Sequence, residues 1–154
     1  MHRILAAVDL SDSTPMVLAT ASELARLESA SLSVLYVMPV ATPINAVAWS
    51  GGVYLVSPMG DDQADYDMSF GLLRQIVEAN GLEKIDCLCE RGSTVERIRD
   101  VAERIHADLI VLGSHGHGRF FHTMFGSVRE ALLAEAPCPV MVVPWTSGHH
   151  AKAA

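Results

Sequence analysis

Short apolar runs and segments of helical period alternate along the whole chain. The first run, HRILAAVDL, is continuous and of strand length; after SDSTP the period changes, and Val17, Ala21, Leu24 and Ala25 fall on one face of a helix. Thr14 suits the cap of that helix and Pro15 its first position, where a missing N–H costs nothing. SLSVLYVMPV, rich in β-branched residues, reads as a second buried strand stopped by Pro39. Met68, Leu72, Leu73, Ile76 and Val77 then recur at helical spacing as far as Gly81, a C-terminal stop. KIDCLCE is strand-like, and RGSTVERIRDVAERIHA opens with Ser93 and Glu96 at capping-box spacing and places Val95, Ile98, Ala102 and Ile105 on one face. DLIVLG is a fourth strand, Ser127 and Glu130 repeat the capping-box spacing for a last helix, and CPVMVVP is a fifth strand between prolines. Residues 40–62, with Pro43, Gly51, Gly52, Pro58 and Gly60, follow neither period and read as a long loop.

Five buried strands alternating with four helices predict an α/β domain: a doubly wound, parallel five-stranded sheet with helices on both faces. The expected Rossmann-like strand order is 3-2-1-4-5, which makes the first and fourth strands neighbours at the point where the winding reverses. Ligands of such sheets bind outside the carboxyl ends of the strands flanking that reversal. Here those ends are Asp9 to Asp12 and Gly113 to Gly118. Residues 1–146 are expected to form one domain and residues 147–154 a flexible tail.

Composition narrows the chemistry. A chain of 154 residues, half hydrophobic and 19% charged, suits one core rather than two. A net charge of −7 with only 11 Lys and Arg argues against nucleic acid, whose binding needs a dense basic surface. The N-terminus is interrupted by Asp9 too soon for a secretion signal, and no apolar stretch reaches membrane-span length. The expected location is therefore cytoplasmic. Cys87, Cys89 and Cys138 lack further ligands at metal spacing and read as buried, reduced thiols.

One cluster remains unexplained by folding alone. LIVLGSHGHGRFFHTMFGSVREALL places Gly113, Gly116, Gly118 and Gly126 between an apolar run and a helical one. Glycines at such a place let backbone amides crowd round an anion without Cβ atoms in the way, and Gly126 and Ser127 open a helix whose free N–H groups favour negative charge. The segment does not match the G-x-x-x-x-G-K-[ST] loop, and no G-x-G-x-x-G follows the first strand, where the sequence is DLSDSTP. A receiver domain would be expected to carry a lysine where this chain reads VVPW.

The spacing of Gly113, two residues, Gly116, nine residues, then Gly126 and Ser127, after a DLIVLG strand and before PVMVV, resembles the ATP-binding branch of the universal stress protein family. The resemblance extends over VDLSD, SVLYV, RGSTVERI and APCPVMVV. It implies nucleoside contacts at Ala7, Asp9 and Val37, and ribose and phosphate contacts at Leu112, Gly113, Gly116, Gly126, Ser127 and Val128. It also implies ATP with Mg2+ as the cofactor, a basic neighbour at Arg119, and pairing of two copies. His115, His117 and His122 suggest a metal less than they suggest solvated or phosphate-facing imidazoles. The metal question stays open at this point, with His115, His117 and Arg119 as candidate phosphate neighbours.

The expectation is thus a nucleotide-dependent regulatory or protective protein acting in stress or metabolic arrest. No catalytic base stands beside the phosphates in the sequence, so hydrolysis or autophosphorylation is expected to be slow if present. The alternatives are an ATP-independent interaction module of the same fold and an enzyme that uses ATP to activate a substrate under the 40–62 loop. A homodimer is expected through residues 140–144, an apolar run without charge at a sheet edge.

Overall fold

The structure, a computed structural model, describes residues 2–38, 62–114 and 125–144. In chain order the elements are β1 (Arg3–Val8), α1 (Thr14–Glu28), β2 (Ser31–Met38), α2 (Asp62–Ala79), β3 (Asp86–Arg91), α3 (Thr94–Arg104), β4 (Leu109–Gly113), α4 (Phe125–Glu135) and β5 (Val140–Val143). All four strand pairings are parallel, and the order across the sheet is β3-β2-β1-β4-β5. The predicted α/β class and the 3-2-1-4-5 order are what the structure has. No helix among the described residues is long and apolar enough to cross a membrane.

The pleat of the central strand explains why its sequence is apolar at every position after Arg3. Ile4, Ala6 and Val8 point into one core with Val17, Leu18 and Ala21 of α1 and Leu73 and Val77 of α2. Leu5 and Ala7 point into the opposite core with Ile98 and Val101 of α3 and Val128 and Leu132 of α4. A strand buried on both faces has no polar side to show. Cys89 is buried as expected, but Cys87 and Cys138 are only half-buried. Burial pushes all three thiols up from their ordinary pKa, keeping them protonated and weakly nucleophilic.

Several local expectations shift. α1 begins at Thr14 with Ser13 as its cap, one residue ahead of the expected start, so Pro15 takes the second helical position, where its N–H would still be free. In α2, Leu73 and Val77 are buried, yet Met68 is 69% and Leu72 44% exposed. This helix packs mainly on β3 and β2 at the edge of the sheet, so its apolar stripe is wider than the surface it meets. Gly81, at φ +74°, ends it as expected; its N–H donates to Glu78 O and that of Leu82 to Val77 O, a Schellman-type closure. Ser93 caps α3 by position but makes no side-chain cap bond. α4 begins at Phe125, which puts Gly126 and Ser127 inside its first turn and removes Ser127 from the expected cap position. The loop read over 40–62 lies outside the described residues except for Asp62, which starts α2.

Two features fix the sheet ends. At the lower end, Asp108 Oδ2 accepts the backbone N–H groups of His2 (2.6 Å) and Arg3 (2.9 Å), tying the start of β1 to β4 and holding the carboxyl below its usual pKa. At the upper end, Gly92 turns the chain from β3 into α3 at φ +142°, a conformation that residues with a side chain rarely adopt. A Cβ there would also lie 3.3 Å from Arg97 Nε. Gly92→Ala is expected to lower stability by about 1–3 kcal/mol, read as a fall in the urea midpoint at unchanged slope. An unchanged midpoint would show that the turn can relax.

Candidate functional site

The site is built by the strand order. Because β1 lies between β2 and β4, with Ala7 opposite both Leu35 and Leu112, three strand ends open side by side on the α3/α4 face. The cleft at these ends is walled by Ala7, Val8 and Asp9 of the first strand and its exit, by Leu35, Tyr36 and Val37 of β2, and by Leu112 of β4. Thr94 of α3 and Val128 and Leu132 of α4 complete it. It encloses about 490 Å³ of free space continuous with solvent. Its floor is apolar and its exit polar, the usual layout of a small-molecule site.

Asp9 organises the exit from β1. Its Oδ1 accepts the backbone N–H of Ser11 (3.0 Å) and the Ser11 hydroxyl (2.5 Å), with the Thr14 hydroxyl at 3.5 Å. The local turn-forming role of this aspartate is therefore real, and Oδ1 is the oxygen that carries it. Leu10, between the two, is held at φ +59°, an uncommon conformation for a residue with a branched side chain. Strain of this kind persists only where the surroundings impose it. On the other side of the cleft, the Arg129 guanidinium of α4 donates to Ser114 O (3.4 Å), and the Ser114 N–H donates to Val143 O (2.8 Å). A cation thus stands beside the chain as it leaves β4. Burial, followed by the nearby Cys89 and Asp9, raises the pKa of Tyr36, which stays a neutral phenol.

Of the residues singled out in the sequence, Ala7, Asp9, Val37, Leu112 and Val128 converge on this one cleft. Gly113 ends β4, half-buried and paired with Val143. Gly126 and Ser127 lie in the first turn of α4. Gly116, His115, His117, Arg119 and His122 lie outside the described residues. Leu35, Leu132, Thr94 and Arg129 were missed. The first two are legible only as core positions, Thr94 sits in a stretch that reads as a helix start, and Arg129 carries no spacing signal. Among the described residues no group of three or more His, Cys, Asp or Glu is placed to hold a metal.

Comparison with known proteins extends the picture. The profile of the Universal stress protein family matches residues 1–144. Universal stress protein A homolog 1 of Coxiella burnetii is 30% identical over 158 aligned positions, covering 93% of this chain and 97% of its own. Among solved structures, a universal stress protein in complex with cAMP superposes with a TM-score of 0.65 at 17% identity, covering 93% of this chain and 96% of that one. The universal stress protein from Archaeoglobus fulgidus in complex with dAMP gives 0.56 at 24%, covering 92% and 97%. These two likenesses speak for the fold; the profile match over nearly the whole sequence speaks for descent, and the chain belongs to the universal stress protein family.

Proposed function

We propose that this protein binds ATP in the cleft at the β1/β4 switch and changes its shape or partner affinity with nucleotide state, as a regulatory or protective protein in stress. The observation that carries the reading is the convergence of Ala7, Asp9, Val37, Leu112 and Val128, drawn from three strands and a helix, on a single cleft. Two proteins of the same fold were solved with adenine nucleotides, cAMP and dAMP, which supports the ligand class. In this reading the apolar floor covers the base, Asp9 meets the ribose through Oδ2, and the backbone after β4 with the first turn of α4 receives the phosphates. Gly113, Gly116, Gly126 and Ser127 belong to that phosphate side, with His115, His117 and Arg119 as its neighbours. The reading is one of binding, with any hydrolysis slow.

Magnesium fits the donor set in kind. It takes oxygen ligands and keeps several waters, and Asp9 Oδ2 and the exposed Asp12 are the carboxylates at the exit from β1. Bound with ATP, the ion would neutralise phosphate charge.

The protein is further proposed to pair through β5, the uncharged edge of the sheet. A second reading, a nucleotide-free interaction module of the same fold, draws on the mostly apolar lining of the cleft, which suits a partner's side chain as well as a base. Calorimetric titration with ATP and with inorganic tripolyphosphate separates the two. The wild type is expected to bind both, and Asp9→Ala to lose about tenfold for ATP, the value of one hydrogen bond to a charged group, while keeping tripolyphosphate. A wild type that binds neither supports the interaction module instead.

A further inference from the structure

Besides Asp9, and Tyr36, which packs against the core on the opposite face of the sheet, the cleft wall includes one more polar side chain that the glycine pattern does not explain. Thr94, the first residue of α3, is half-buried in its wall, and its hydroxyl makes no hydrogen bond to any described residue. Around it the wall is apolar, formed by Ala7, Val37, Leu112 and Val128. Asp9, the carboxylate of the cleft, has Oδ1 committed to Ser11.

Position decides what Thr94 meets. The segment assigned to the phosphates follows β4, and the sheet runs from there through β1 to β2 and β3. Thr94 enters from the connection that follows β3 and shares the cleft wall with Val37 of β2. Adjacent strands lie about 4.8 Å apart, so β2 stands roughly 10 Å from β4. A nucleotide whose phosphates sit at the end of β4 must reach across β1 to arrive there, and what arrives is the far end of the base.

We propose that Thr94 is the base-reading residue of the cleft, its hydroxyl accepting a hydrogen bond from the exocyclic 6-amino group of a purine nucleotide. This rests on the ATP reading above and deepens it: the apolar wall holds any flat base, and the hydroxyl distinguishes a 6-aminopurine from one with hydrogen at that position. An amino group left unpaired against Val37 and Leu112 forfeits its bond to water with nothing in exchange, which is how sites of this kind reject a mismatched partner.

The test compares wild type, Thr94→Val and Thr94→Ser by calorimetry against three probes: ATP, the triphosphate of purine riboside, which lacks the 6-amino group, and inorganic tripolyphosphate. Thr94→Val, nearly the same shape without the hydroxyl, is expected to weaken ATP about tenfold, and Thr94→Ser by no more than about twofold. Purine riboside triphosphate should bind wild type and Thr94→Val alike, and tripolyphosphate should bind all three alike. Two results overturn the inference: Thr94→Val binding ATP as wild type does, or losing the same factor for both nucleotides, which marks a packing role. A wild type that binds neither nucleotide is a separate failure, that of the ATP reading, and takes this inference with it.

Discussion

Gly116→Val is expected to reduce ATP affinity on the order of 100-fold, because hydrogen bonds from backbone N–H groups to a charged phosphate contribute about 1.5–3 kcal/mol each. Gly116 itself lies outside the described residues, so the expectation rests on what stands at either end of its segment. β4 stops at Gly113 at the mouth of the cleft, and α4 begins at Phe125 with Val128, one turn on, in the cleft wall. The intervening chain therefore leaves and re-enters at the same site. A β-branched side chain in a stretch that must bring its amides against an anion blocks that approach, and none of the described core positions is changed, so the fold is expected to be spared. Calorimetry on the variant, with circular dichroism as the control for folding, checks both halves. Undiminished ATP binding by a folded Gly116→Val would remove the phosphates from this segment.

Met141→Lys is expected to turn a dimer into monomers. Among the described residues β5 pairs only with β4; Val140, Met141, Val142 and Val143 carry no charge, and Pro139 and Pro144 bound that short stretch. Met141 is the exposed residue of the strand, at 36%, so lysine there costs the isolated fold little. Around a two-fold axis, however, each copy brings its own lysine to the same contact. Burying an unpaired ammonium costs several kcal/mol, enough to raise the dissociation constant about 1,000-fold for each ~4 kcal/mol. Light scattering at micromolar concentration should give a dimer for the wild type and a monomer for the variant, with the same dichroism. A monomeric wild type, or a variant that stays dimeric, would mean that this edge is not the interface.

The sheet was legible because its evidence is local and repeated. Residues 4–8 and 109–112 are apolar at every position, which only a strand covered on both sides requires, and Ile4 and Leu5 do face opposite cores. Site residues carried by strand ends were legible for the same reason: once β1 and β4 are neighbours, Ala7 and Leu112 must meet. What failed depended on distant partners. The outward turn of Met68 and Leu72 follows from how little of the sheet α2 covers, which no helical period records. Ser127 has the spacing of a cap, but α4 starts at Phe125, ahead of it. Thr94 has the identity and place of an ordinary helix-start residue, and only the fold shows that this helix start opens on the cleft.

The two borders of the sheet are unlike, and the difference bears on how far association can go. β3, at the far border from β5, carries Asp86 and Arg91 exposed and Glu90 in an ion pair with Arg104 at 2.6 Å. Were both borders apolar, the β3 side of one copy would accept the β5 side of the next in the same direction, and each addition would regenerate a free β5 for another: an open fibre without a terminating step. In the proposed pairing, charge on β3 would obstruct that head-to-tail growth and leave β5 to join its own kind, after which no border of that type would remain. A substitution that neutralised Asp86, Glu90 and Arg91 together would restore the missing propagation surface, and its signature would be turbidity rather than a lower melting temperature.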